Sequence, residues 1–187
     1  MSSKLLDQIN VVDIEATCWE AKPPSGQESE IIEIGICTLD IASGKRLEKD
    51  SILVKPYCST VSEFCTRLTT LTQEQVDQGI PFVKACAILK DKYLSHQRVW
   101  ASYGEYDRNK FQKECKFRSV KYPFGVRHIN VKTLFAIMNC LPREVGMAKA
   151  LELLNFNLEG THHRGGDDAW NIAKILSKLL WSGKGIK

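Results

Sequence analysis

Apolar residues recur along this chain in two rhythms. From Asn10 to Thr17, Val12 and Ile14 alternate with Asp13 and Glu15, the period-two signature of a strand whose two faces differ. Glu30 to Leu39 repeats a strand pattern through Ile31, Ile32, Ile34, Ile36 and Cys37. Asp40 to Gly44 then turns the chain into a third strand over Lys45 to Val54, with Ala42-Ser43-Gly44 suited to a hairpin. Pro56 closes this antiparallel meander, and Pro23-Pro24-Ser25-Gly26 marks a loop over Cys18 to Glu28 inside it.

From Thr60 the rhythm becomes helical, with Ser62 and Thr72 as N-caps; Thr72 and Gln75 have the spacing of a capping box. Ile80-Pro81 opens a helix that carries Phe82, Ala85, Ile88, Leu89 and Tyr93 on one face. Arg98 to Ser102 predicts a strand, Asp107 to Lys116 a helix, Ile129 to Val131 a short strand, and Lys132 to Cys140 and Met147 to Leu154 two more helices. Asn155 to Gly166 reads as a loop. Ala169 to Trp181 is amphipathic, with Ala169, Ile172, Ala173, Leu176, Leu179 and Leu180 on one stripe. Strands first and helix-strand alternation afterwards predict an α/β fold: a central mixed five-stranded sheet flanked by helices, antiparallel at one edge and parallel in the middle.

The candidate chemistry sits on this frame. Strand alternation points Asp13 and Glu15 to the same side. Two carboxylates this close repel each other unless a cation neutralises them, and hard oxygen ligands suit Mg²⁺ or Mn²⁺. An Asp-x-Glu triplet occurs by chance about once in a chain of this length, so its weight depends on partners. Asp107 is one, where a strand hands over to a helix; Gly104 would let backbone approach a ligand, and Glu105 is the local competitor. Its plainer reading is a charge at a helix N-terminus. Thr161-His162-His163-Arg164-Gly165-Gly166-Asp167-Asp168 offers a base on a loop beside an acid at a helix start, and residue type leaves open which His and which Asp are meant. Four carboxylates and an imidazole thus converge at the end of the central strand. Uncompensated, such a cluster would destabilise a fold.

The 187 residues fit one domain, 1–187, with a core from about 9 to 181. Lys and Arg number 26 against 22 acids, so an acidic site implies basic residues elsewhere, a positive rim that a phosphate backbone would fit. The seven cysteines include no Cys-x-x-Cys pair and read as structural thiols in a reducing, cytoplasmic setting. Met1 to Gln8 lacks the apolar stretch of a signal peptide and no run reaches membrane length, so no membrane association is expected.

Asp13-Ile14-Glu15-Ala16-Thr17, Tyr103-Gly104-Glu105-Tyr106-Asp107 and His163-x4-Asp168 resemble the three motifs of the DEDDh exonuclease superfamily, which has a ribonuclease-H-like fold. The resemblance runs from about Val11 to Leu180. Ala16-Thr17-Cys18-Trp19, Glu30-Ile31-Ile32-Glu33-Ile34-Gly35, Phe64-Cys65-x-x-Leu68-Thr69-x-Leu71-Thr72 and Lys121-Tyr122-Pro123-Phe124 are similar to the branch of histone-mRNA and RNA-interference-modulating 3′ exonucleases and their bacterial relatives. It implies a metal-dependent 3′-to-5′ exonuclease that releases nucleoside 5′-monophosphates from single-stranded 3′ ends, from RNA in preference to DNA, using two Mg²⁺ (or Mn²⁺) ions. It also selects His163 and Asp168 over their neighbours. Asp13 is implied to bridge both ions, Glu15 and Asp168 to complete the first, Asp107 to hold the second, and His163 to act as general base. Phe64 and Leu68 match positions that sandwich the terminal base, although periodicity alone makes them core residues of a short helix; backbone at Ala16 and Thr17 is implied to reach the terminal ribose. The same site would serve an oligoribonuclease or a DNA-trimming enzyme. The same fold would serve a non-catalytic nucleic-acid-binding or kinase-pathway regulatory protein, but all five catalytic residues are in place. Two departures stand out: Gly166 occupies a position where relatives often carry a larger apolar residue, and no additional RNA-binding domain precedes the nuclease. No protein partner is implied.

Overall fold

The computed structural model describes residues 4–181. Its strands are β1 (Gln8–Ala16), β2 (Ile31–Asp40), β3 (Arg46–Lys55), β4 (Ile80–Pro81), β5 (Val99–Ser102) and β6 (His128–Asn130). The helices are α1 (Glu63–Thr69), α2 (Gln73–Asp77), α3 (Phe82–Asp91), α4 (Tyr106–Phe117), α5 (Val131–Met138), α6 (Met147–Leu153) and α7 (Gly165–Trp181). The sheet runs β4-β3-β2-β1-β5-β6. β1, β2 and β3 form the expected antiparallel meander, and β5 and β6 continue parallel to β1. Strand β1, at the centre, therefore meets an antiparallel neighbour on one side and a parallel one on the other.

The sheet has six strands rather than the five expected. The additional one is β4, which pairs parallel with Val54 and Lys55 at the edge of β3. Ile80-Pro81 therefore ends a strand instead of opening a helix, and α3 starts at Phe82. Proline suits that place because an outer edge asks for no further N–H donor. The caps behave as their chemistry dictates: Ser62 Oγ accepts the Cys65 N–H at 3.0 Å, and Thr72 and Gln75 exchange both bonds of a capping box.

Alternation along β1 divides the core. Val12 and Ile14 pack with Ile34, Ile36, Phe82 and Phe111 under α3 and α4. Ile9 and Val11 pack with Phe135, Met147, Ile172 and Leu176 under α5, α6 and α7. Helix α7 starts at Gly165, four residues ahead of the sequence expectation. The reason is a backbone contact: a Cβ on Gly35 would overlap the Gly165 carbonyl group, and one on Gly165 would lie 2.8 Å from the Gly35 nitrogen and 3.2 Å from the Asp13 oxygen. Two glycines that read as a mobile loop are instead what lets the first turn of α7 press onto β2 beside Asp13. All seven cysteines are free; Cys37, Cys65, Cys86 and Cys115 are buried core thiols, Cys18 is half-buried, and Cys58 and Cys140 are exposed. Among the described residues no helix is long and apolar enough to cross a membrane.

Candidate active site

The face of β1 that buries Ile9 and Val11 continues into Asp13 and Glu15. There the first turn of α7 brings Asp168 over the strand, and one carboxylate oxygen from each of Asp13, Glu15 and Asp168 lies within 4.8 Å of the others. Asp107, in the first turn of α4, enters from the β5 side and accepts the Ile14 N–H at 3.1 Å. All four acids line one pocket of about 340 Å³, together with Ala16, Cys18, Leu68, Tyr103, Tyr106, Met147, His162 and His163. Among the described residues no lysine or arginine lines it.

Burial and mutual repulsion favour the protonated forms of these acids. Burial and then Asp107, Glu15, Asp168 and Glu33 drive the Asp13 carboxyl well above its ordinary range. Glu15 is pushed up to about 8 by burial, then by Asp168, Glu33 and Asp107. Burial raises Asp107 to about 7 against the opposing hydrogen bonds from Ile14 and Ser102. Asp168 is raised by burial although His162 and the His163 N–H oppose it. The pocket is thus arranged for positive charge that no lysine or arginine lining it among the described residues supplies.

Glu33 is the residue that sequence reasoning passed over. It lies directly across from Glu15 in the β1/β2 register and is fully buried. Arg164 Nε and Nη2 each donate to it at 3.2 Å, the Gly165 N–H donates at 2.9 Å, and the Ser51 hydroxyl donates as well. Its charge is thereby used to pin the elbow that precedes α7. Its role depends on the strand register that sets it opposite Glu15, which residue type alone does not reveal.

Both histidines reach the pocket, by different means. His163 donates its backbone N–H to Asp168 Oδ2 at 3.0 Å and adopts φ 63°, left-handed backbone that an L-residue enters only under constraint. Burial and then His162 hold its imidazole below the ordinary pKa, against the pull of Asp168. His162 Nδ1 lies 2.9 and 3.2 Å from the two Asp168 oxygens, and the two rings stack with centroids 3.9 Å apart and planes 18° apart. Asp167, by contrast, pairs with Lys49 and accepts the Thr161 N–H, outside the pocket.

The four substrate-contact positions divide. Cys65 Sγ reaches the Ala16 carbonyl at 3.6 Å and Ser62 Oγ the Cys18 carbonyl at 2.6 Å, which docks α1 on the end of β1 and sets Leu68 in the pocket wall beside Ala16. Thr17 is fully buried; its N–H donates to Glu30 and its hydroxyl accepts the Glu30 N–H at 2.9 Å, so it clamps the following loop and does not line the pocket. Phe64 is half-buried outside the pocket wall, with the Arg67 guanidinium 5.9 Å from its ring centroid. Tyr106, missed as a separate candidate, is 60% exposed at the pocket. Glu105 is exposed and bonds to Asn130, away from the acids.

An antiparallel meander extended by parallel strands, with acids gathered at the end of its central strand, is the architecture of the ribonuclease-H-like class. The exonuclease family profile matches residues 11–176, and the chain belongs to that family, within the DEDDh superfamily. Human 3'-5' exoribonuclease 1 is 31% identical over 188 residues, covering 95% of this chain and 53% of that protein. The Drosophila melanogaster 3'-5' exonuclease Snipper is 26% identical over 194 residues, covering 92% and 69%. The chain spans about half the length of the mammalian relatives it matches. The crystallographic structure of the nuclease domain of 3'hExo, a DEDDh family member, bound to rAMP, superposes with a TM-score of 0.85 at 30% identity over 97% of this chain and 95% of that one. Enzymes of this family use divalent metal ions.

Proposed function

We propose that this chain is a 3′-to-5′ exoribonuclease that uses two Mg²⁺ or Mn²⁺ ions, with Asp13, Glu15, Asp107 and Asp168 as metal ligands and His163 as general base. The observation that carries the reading is the gathering of four acids, distant in sequence, in one pocket that no lysine or arginine of the described residues lines. The donor set fits the ions: oxygen-only ligands, partly protonated in their absence, suit hard divalent cations. When bound, such ions supply Lewis-acid polarisation of the phosphate and neutralise the charge that builds on it.

The chain's own residues do the rest. His163, kept neutral by burial and fixed through its backbone bond to Asp168, takes a proton from the attacking water. The water oxygen bonds to phosphorus and the bond to the 3′ oxygen of the preceding nucleotide breaks. A nucleoside 5′-monophosphate leaves, the departing 3′ oxygen takes a proton from solvent to become the 3′ hydroxyl of the shortened chain, and His163 returns its proton to solvent. Ala16 and Leu68 give the terminal base an apolar wall, and Tyr106 offers a ring at the rim; such surfaces accept any base. RNA as substrate is supported by the name of the human relative, an exoribonuclease, and by a structural relative at 30% identity described as recognising the 3′ end of a histone mRNA stem-loop. We also assign residues 9–181 to one exonuclease domain and, from the seven free thiols, the protein to the cytoplasm.

The test is digestion of a 5′-labelled single-stranded RNA and of DNA of the same sequence, with Mg²⁺ or Mn²⁺ and with a chelator. A ladder shortened from the 3′ end, metal-dependent and faster on RNA, is the expected result. Intact RNA at high protein concentration would overturn it.

A further inference from the structure

We propose that His162, His163 and Asp168 form a binding site for a borderline transition-metal ion, Zn²⁺ foremost, and that this site excludes Mg²⁺ from the pocket by sharing Asp168. One ligand atom from each of the three lies within 4.8 Å of the others, which for side chains on one short segment needs only small rotamer changes to reach the spacing of ligands around a common ion. The left-handed backbone at His163 is what makes this possible. In extended chain, consecutive side chains point to opposite sides; here the kink turns both imidazoles the same way and stacks them 3.9 Å apart.

The third ligand is held ready. Asp168 is buried on the first turn of α7, fixed by the His163 N–H, and His162 Nδ1 is aimed at both of its oxygens. The His162 side chain is 40% exposed, so an ion reaches it from solvent. Two imidazoles and a carboxylate match the donor preference of Zn²⁺, whereas Asp13, Glu15 and Asp168 offer oxygen alone. One carboxylate therefore belongs to two sites of different chemical taste. An ion on the histidine side withdraws Asp168 from the acid cluster and occupies the imidazole of His163.

The inhibitory consequence rests on the nuclease reading; the binding does not. Zn²⁺ is titrated against a chromophoric chelator in excess Mg²⁺, and Co²⁺ is used as a visible-absorption probe of the same site. Wild type is expected to take up one Zn²⁺ at this site, His162→Gln to bind it at least about tenfold more weakly, and Asp13→Asn to bind it within about twofold of wild type because Asp13 is not a ligand. Ring signals of His162 and His163 in the wild-type NMR spectrum are expected to move on Zn²⁺ addition, which needs no variant to fold. If hydrolysis is present, the Zn²⁺ concentration that halves it rises in His162→Gln by the same factor as the binding constant. Zn²⁺ binding that is absent in excess Mg²⁺, unchanged in His162→Gln, lost equally in Asp13→Asn, or without effect on the histidine rings would overturn the site.

Discussion

Replacing Glu15 by Gln is expected to make the metal-free protein more stable at alkaline pH, although it removes a proposed metal ligand. A free glutamate titrates near 4.5, while burial and the surrounding acids push Glu15 up to about 8. Between those values the folded state binds a proton that the unfolded chain has released, so stability falls as pH rises through the window. Below about 4.5 the carboxyl is neutral in both states and costs nothing. At pH 8 the accumulated cost is on the order of 4 kcal/mol, against under about 1 kcal/mol at pH 5. Gln keeps the shape and does not titrate, and it relieves the neighbouring acids as well. For a chain of this size the pH 8 difference corresponds to a melting temperature about 10 °C higher for Glu15→Gln. The assay is calorimetric melting of both proteins in chelator at pH 5 and pH 8, then at pH 8 with Mn²⁺. Near-coincident transitions at pH 5, a gap at pH 8 in favour of the variant, and closure of that gap by Mn²⁺ are expected, because ions that bind the folded wild type restore it. A variant that melts at or below wild type at pH 8 in chelator would show that Glu15 carries no electrostatic penalty, and the account of the pocket would fail.

Asp13→Asn is expected to lower RNA turnover more than about a hundredfold, beyond the loss typical of a residue that only supports a ligand, with a native circular dichroism spectrum; near wild-type turnover would remove Asp13 from the ligand set. His163→Ala is expected to cost about 10²–10⁴ in rate with little change in substrate affinity, measured by single-turnover kinetics, and weakened binding at normal rate would make His163 a substrate contact. Gly35→Ala places a methyl group against the Gly165 carbonyl and is expected to destabilise by about 3 kcal/mol or more; an unchanged denaturant midpoint would mean that α7 is free to shift. Mn²⁺ binding is expected to release protons at pH 6.5, where Asp107 near 7 and Glu15 near 8 are largely protonated, and far fewer at pH 9. Calorimetry in buffers of different ionisation enthalpy measures this, and equal release at both pH values would contradict it.

What could be read from the chain was whatever depends on local period and residue type. Alternation placed Asp13 and Glu15 on one face, and a stripe of apolar residues located α7. What could not be read depends on contacts between distant segments. Gly165 and Gly166 have the composition of a loop, and only the backbone of β2 and β3 lying against them makes them the start of a helix. Ile80-Pro81 is too short to show a period, and its pairing with β3 is invisible until the sheet is built. Thr17 belongs to a motif that suggests substrate, yet just past the end of β1 its N–H donates to the Glu30 carbonyl and its hydroxyl accepts the Glu30 N–H. Glu33 is meaningful only once register sets it opposite Glu15.

The acid cluster joins residues from both ends of the described fold: Asp13 lies on the first strand and Asp168 on the last helix. A nascent polypeptide still threading from the ribosome therefore owns Asp13 and Glu15 long before it owns Asp168, and the elbow at Gly165 has nothing to offer Glu33 until α7 has been translated. The pocket that β1 begins is thus completed only when α7, the last helix of the described residues, has docked.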